Sequence, residues 1–199
     1  MKTKIILIVL AAVLVLVGVV SAKQMVARKI VVRGKDGHLE RVSLAGLERR
    51  HFTNMVTGQP TDLTFDRPLT LVVFLSGAEC RACLDESYVW DKLSQLSPNE
   101  LRVVAVGVNT TKSEVDSMRR SRPSGYDFLT FQSEQDEAGL GIGSVTPLKV
   151  LFDKAGNIRL VSGPAAGHAA HEEFFAKVKN EVGTVSHISM SDSPSQPLR

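Results

Sequence analysis

Leu69-Thr70-Leu71-Val72-Val73-Phe74-Leu75, then Ser76-Gly77-Ala78-Glu79, then Cys80-Arg81-Ala82-Cys83, is the stretch that decides the fold. The apolar run from Leu69 to Leu75 is β-prone and continuous, the pattern of a central strand buried on both faces. Ser76 to Glu79 breaks it. From Cys80 to about Leu96 apolar residues recur at Val89, Trp90, Leu93 and Leu96, a helical spacing that stops before Pro98. The two cysteines, the only ones in the chain, therefore fall where a helix opens directly after a buried strand.

Outward from this unit the chain alternates. Leu101 to Val108 reads as a second buried strand, Thr111 to Ser121 as a helix ending before Pro123, Phe128 to Phe131 as a short strand and Ser133 to Leu140 as a short helix. Leu148 to Asp153 and Asn157 to Ser162 form a hairpin across Lys154-Ala155-Gly156, and His168 to Val182 closes with a helix. Upstream, Lys29 to Arg33 and His38 to Leu44 flank the turn-forming Gly34-Lys35-Asp36-Gly37 and read as another hairpin. Ala45 to Arg67 is expected to hold a short helix and a loop. The pattern specifies an α/β fold, a central mixed sheet flanked by helices with an N-terminal β-hairpin extension and a membrane anchor. The expected divisions are residues 1–22, a transmembrane anchor or signal peptide; 23–66, the extension; 67–183, the α/β domain; and 184–199, a polar tail expected to be disordered.

A chain of 199 residues with 43% hydrophobic content can close one core without staples. Its formal charge of +3 falls closer to neutral once Lys2 and Lys4 are set aside, which argues against a nucleic-acid partner. Ile5 to Ala22 is one uncharged apolar stretch, and as a helix it spans about 27 Å, close to the thickness of a bilayer's hydrocarbon. It reads either as an uncleaved anchor or as a signal peptide cut after Ala22, where Val20-Ser21-Ala22 suits a signal peptidase. Lys23, Arg28 and Lys29 follow it, and a charge count alone holds that side in the cytoplasm. The leading Lys2 and Lys4 fit export, and the domain is expected in the periplasm or otherwise outside the cytoplasm.

The CxxC spacing carries chemistry because of where it sits. Unpaired amide N–H groups and the positive end of the helix dipole stabilise a thiolate at the first cysteine. Cys80 is then the nucleophile toward a disulfide. Cys83, one turn on, attacks the resulting mixed disulfide and releases the reduced partner. Arg81 adds positive charge beside the thiolate, Glu79 opposes it and Ala82 completes the motif, so all three tune the couple in a direction the sequence does not sign. A purely structural disulfide gains little in so small a loop. A zinc site would need His168 and His171 to complete a Cys2His2 set, whereas their spacing suits a solvated helix face better. No metal and no cofactor beyond the Cys80–Cys83 disulfide is expected. Gly139-Leu140-Gly141-Ile142-Gly143 lacks the strand before it and the lysine after it that a phosphate loop needs, and reads as a turn leading to Pro147.

Taken with Cys80 to Cys83, the run Gly143-Ser144-Val145-Thr146-Pro147-Leu148-Lys149-Val150-Leu151-Phe152-Asp153-Lys154-Ala155-Gly156-Asn157-Ile158 resembles the thioredoxin superfamily, specifically its TlpA/ResA-like extracytoplasmic thiol-disulfide oxidoreductases. The resemblance covers roughly Leu69 to Val182. It implies a cis-proline at Pro147 facing the cysteines, with the Thr146 backbone offered to an extended substrate. It also implies an acid three residues after the second cysteine, where Glu86 stands on the face of Cys83 and can move protons; an ordinary surface glutamate is the competing reading. This chain departs from the family in having Glu79 before the first cysteine and Ala82 before the second. Phe74 replaces the buried acid of thioredoxins proper. The approach LSGAECRACL is also similar to methylamine-utilisation accessory thioredoxins. The implied partners are a disulfide-bearing client protein and a membrane thiol carrier as electron donor, with c-type cytochrome maturation as one such pathway. Two alternatives stand beside it. A peroxiredoxin-like peroxidase shares the scaffold, but Ser76 to Glu79 lacks that family's proline and threonine before the reactive cysteine. A non-catalytic module would use the groove beside Pro147 only to hold clients.

Overall fold

The computed structural model describes residues 29–34, 36–76, 81–111, 113–116, 125–164 and 167–191, with the helical backbone alone for 81–85 and 187–191. Seven strands form one mixed sheet: β3 (Phe52–Asn54), β4 (Pro60–Thr61), β5 (Leu69–Ser76), β6 (Leu101–Val108), β7 (Asp127–Phe131), β8 (Leu148–Asp153) and β9 (Ile158–Ser162), in the order β4-β3-β7-β6-β5-β8-β9. The strands β5, β6 and β7 are parallel, and the β8–β9 hairpin packs on β5 through β8, which runs antiparallel to it. A separate two-stranded hairpin pairs β1 (Lys29–Arg33) with β2 (Leu39–Ser43). Helices α1 (Arg81–Leu96), α2 (Glu134–Glu137) and α3 (His168–Ser191) complete the main elements.

Because β5 and β6 are buried on both faces, successive side chains feed two cores. Leu71, Val73 and Leu75 face α1 and α3 and pack with Val89, Trp90, Leu93, Phe174 and Val178. Val72 and Phe74 face the other way, into a core closed by Val32 and Val42 of the hairpin and by Leu140, Ile142 and Val145. The helical spacing of Val89, Trp90 and Leu93 thus becomes one buried stripe, each large side chain contributing about 1.5–3 kcal/mol of burial.

Two turns follow directly from their residues. In the first hairpin Asp36 Oδ1 accepts the His38 N–H at 3.0 Å. Between β8 and β9, Asp153 Oδ1 accepts the Ala155 and Asn157 amides at 2.9 Å, and Gly156 takes φ +77°.

Three expectations need correction or restriction. Ala45 to Arg67 holds a 3-10 turn at Leu47–Arg49 but also the strands β3 and β4, where a loop was expected. Phe52, fully buried, packs against Phe131 with ring centroids 4.9 Å apart, and this long-range partner extends the sheet. The closing helix runs past Val182 to Ser191, through residues expected in the disordered tail. Thr184 and Ser186 hydroxyls donate to the carbonyls of Asn180 and Val182, which accommodates polar residues in a helix already formed. No helix among the described residues is long and apolar enough to cross a membrane. The stretch Ile5 to Ala22 lies outside them.

The hairpin also backs the loop that leads to Pro147. The Ser43 N–H donates to the Leu140 carbonyl at 3.0 Å, and a Cβ on Gly141, at φ +67°, would lie 2.8 Å from the Arg41 carbonyl oxygen. Gly139, at φ +79°, has open space around its Cβ position. Gly139→Ala is expected to cost about 1–2 kcal/mol, the strain of a left-handed backbone alone. Gly141→Ala should cost about 1–3 kcal/mol more, because the obstructing atom is backbone. Parallel denaturant titrations of the two variants check this, and equal losses would contradict it.

Candidate functional site

Strand β5 ends at Ser76, and α1 begins at Arg81, so the cysteine motif spans the strand-to-helix junction. Cys80 and Glu79 lie outside the described residues. For Arg81, Ala82 and Cys83 the backbone is helical, at the start of α1.

The proline loop meets the end of β5 directly. The Thr146–Pro147 peptide bond is cis. Thr146 is fully buried, and its hydroxyl donates to Ser76 Oγ at 2.9 Å, with the Gly143 carbonyl oxygen 3.3 Å away. The residue before the proline is thereby fastened to the last residue of the strand from which the cysteine motif departs. Sequence reading placed Thr146 and Pro147 near the site, but it did not identify Ser76 as the anchor.

Glu86 is not a surface glutamate: its side chain is 0% exposed. Its Oε1 accepts a hydrogen bond from Lys149 Nζ at 2.5 Å, and the lysine is also 0% exposed. Lys149 stands in β8 two residues after Pro147, between Val73 and Ser162 on the neighbouring strands, with its ammonium 5.1 Å from the ring centre of Phe174 on α3. Burial pushes the Lys149 ammonium toward its neutral form, and Glu86 pulls it back, with burial the larger effect. Glu86 Oε2 is buried and has no hydrogen-bond partner among the described residues.

Lys149 went unnoticed in the sequence, although a signal was there. In Leu148-Lys149-Val150-Leu151-Phe152 the neighbours of the lysine suit a strand buried on both faces, and a cation in such a strand requires a buried anion.

The two histidines considered as zinc ligands have other surroundings. The His168 Nδ1 lies 2.8 Å from the Tyr88 hydroxyl, and buried His171 packs edge-on to the same ring. The Tyr88 phenol is pushed up by burial and by the carboxylates of Glu172 and Glu86.

No family model matches the sequence, and no curated protein matches it. Solved structures do. A secreted Mycobacterium tuberculosis disulfide oxidoreductase homologous to E. coli DsbE superposes with a TM-score of 0.53 at 14% identity, covering 68% of this chain and 98% of that one. A thiol:disulfide interchange protein from Bacteroides sp. gives 0.56 at 16% identity, covering 67% and 86%. The bacterioferritin comigratory protein of Xanthomonas campestris, described for its alkyl peroxide reduction activity, gives 0.54 at 11% identity, covering 69% and 95%. What thiol-disulfide and peroxide-reducing proteins share at such low identity is the scaffold, and the chain has the thioredoxin fold.

Proposed function

We propose that the chain is a thiol-disulfide oxidoreductase that acts through Cys80 and Cys83 on disulfides of extracytoplasmic client proteins. The observation that supports the reading is the Thr146–Ser76 hydrogen bond, which holds the cis-proline loop against the end of the strand that precedes the cysteine motif in the sequence. The Cys80 thiolate attacks one sulfur of a client disulfide; a new Cys80–client bond forms and the client's other sulfur leaves as a thiolate. Cys83 then attacks the Cys80 sulfur, the mixed disulfide breaks, and the client departs with both sulfurs reduced. The chain is left oxidised, and a membrane thiol carrier returns two electrons to it. Thr146 and Pro147 present the client's extended backbone, and Glu86 takes the proton from Cys83. The segment Ile5 to Ala22 tethers the domain to the membrane or directs its secretion, outside the cytoplasm in either case.

The test is equilibrium titration of the Cys80/Cys83 couple in the full chain against glutathione and dithiothreitol buffers, with Cys83→Ser as control. A reversible two-electron couple at or below about −230 mV is the expected result for a reductant. A couple near about −120 mV would reverse the direction of electron flow. Peroxidase activity is the second reading, supported by the Xanthomonas neighbour's scaffold. Oxidation of Cys80 by alkyl peroxide that outpaces its reaction with disulfides would favour it.

A further inference from the structure

The two faces of the first hairpin are opposite in character. Directly opposed residues of an antiparallel pair share a face, so Ile30 with Val42 and Val32 with Glu40 point one way, while Lys29 with Ser43, Val31 with Arg41 and Arg33 with Leu39 point the other. The first set is turned to the domain: Val32 and Val42 are buried and Ile30 packs against the same core. The second set is turned to solvent. It carries three cations and no acid, because the one carboxylate of the two strands, Glu40, belongs to the inner face. Leu39, 70% exposed, and Val31, 62% exposed, are the most exposed large apolar side chains among the described residues. Among those residues no ion pair holds Lys29, Arg33 or Arg41.

We propose that this outer face, built on Lys29, Val31, Arg33, Leu39 and Arg41, is a docking surface for a bilayer containing anionic phospholipid. The inference goes beyond the thiol-exchange reading and rests only on its membrane segment. Val31 and Leu39 leave water for the acyl boundary, and the basic side chains lay their stems along it with their charged heads at the phosphates. Chain length brings the face to that surface. From Ala22, the end of the apolar stretch, to Lys29 is seven residue steps, at most about 25 Å of chain, so a bilayer holding Ile5 to Ala22 lies within reach of β1. The hairpin is also no loose arm. Ser43 N–H donates to the Leu140 carbonyl, and a Cβ on Gly163 would lie 2.6 Å from Val32 Cγ1, so strand and domain are in close contact. Seating the hairpin on lipid therefore orients the whole domain, including the loop that leads to Pro147, instead of leaving it to swing on a tether.

The test uses the full chain carrying Leu39→Trp, reconstituted into vesicles with brominated acyl chains, made either of phosphatidylcholine alone or of phosphatidylcholine with phosphatidylglycerol. The native Trp90 is buried and gives a constant background. The introduced indole is expected to be blue-shifted and quenched in the anionic vesicles, weakly affected in the neutral ones, and released from quenching by high salt. Each cation is worth about fivefold in the docked-to-undocked ratio, so adding Arg33→Gln and Arg41→Gln should lower that ratio about twenty-five-fold. All three positions are exposed, so none of these changes touches the core. Equal quenching in the two vesicles, or quenching indifferent to the two arginine substitutions, overturns the proposal. A blue shift without vesicles that grows with protein concentration would identify a second copy as the occupant and overturn it as well. Failure of the chain to float with neutral vesicles would instead defeat the tether reading of Ile5 to Ala22, while charge-dependent quenching on anionic vesicles still decides the hairpin.

Discussion

Cys80→Ser is expected to reduce disulfide exchange to background, whereas Cys83→Ser should still react once and then stall as a mixed disulfide with its client. The asymmetry follows from position. Cys80 directly precedes α1 in the sequence, where a thiolate is expected to gain from a helix's unpaired amide groups and dipole, while Cys83 falls within the helix's first turn. A serine hydroxyl at position 80 is not deprotonated by that field at neutral pH and is a poor nucleophile toward sulfur. Thiol-trapping of the full chain with an oxidised protein substrate, followed by non-reducing electrophoresis, distinguishes the two variants. A trapped adduct on Cys80→Ser rather than Cys83→Ser would reverse the roles. Client binding that survives both substitutions, without any redox couple in the parent, would leave the holding-module reading in place.

The largest loss of stability is expected from Glu86→Ala. It removes the carboxylate and leaves the Lys149 ammonium fully buried without its anion, a change that costs about 3–5 kcal/mol in comparable cases. That is a large share of the roughly 5–15 kcal/mol that holds a domain together. Glu86→Ala combined with Lys149→Met should recover much of the loss, because an apolar side chain in the same space needs no partner. Burial already holds the Lys149 ammonium below lysine's ordinary value, and removing Glu86 removes what raises it. Between the folded value and the ordinary one the unfolded chain binds more protons, so stability rises with pH across that alkaline window. The window is wider in Glu86→Ala. Its deficit relative to the parent should therefore shrink as pH rises toward lysine's ordinary value. Denaturant midpoints measured across that range test the sign, and a deficit that grows with pH would contradict the account.

Locally patterned features were legible from the chain alone. The apolar run from Leu69, the helical spacing of Val89, Trp90 and Leu93, the Asp153–Gly156 turn and the glycine-bearing turn of the first hairpin each carry their signal within a few residues. These patterns suffice for the order of elements and for a CxxC pair at a strand-to-helix junction. The strands β3 and β4 were not legible, because Phe52–Asn54 is too short to show alternation and owes its place to Phe131, far along the chain. The last helical turns, to Ser191, look polar by composition and are helical because they continue a helix already anchored by Phe174 and Val178.

The same division runs through the site. The sequence by itself determined which residues are proposed to bear the chemistry: two cysteines at the spacing exchange requires, an acid one turn later, and a proline loop before a hairpin. Only the tertiary structure decided that Glu86 is buried, that Lys149 is its partner and that Thr146 is fastened to Ser76. The physical reason is that a buried charge or hydroxyl is defined by what packs over it and by the group that replaces its lost water. Those partners come from strands and helices far apart in the chain and brought together by the sheet, so no local pattern encodes them.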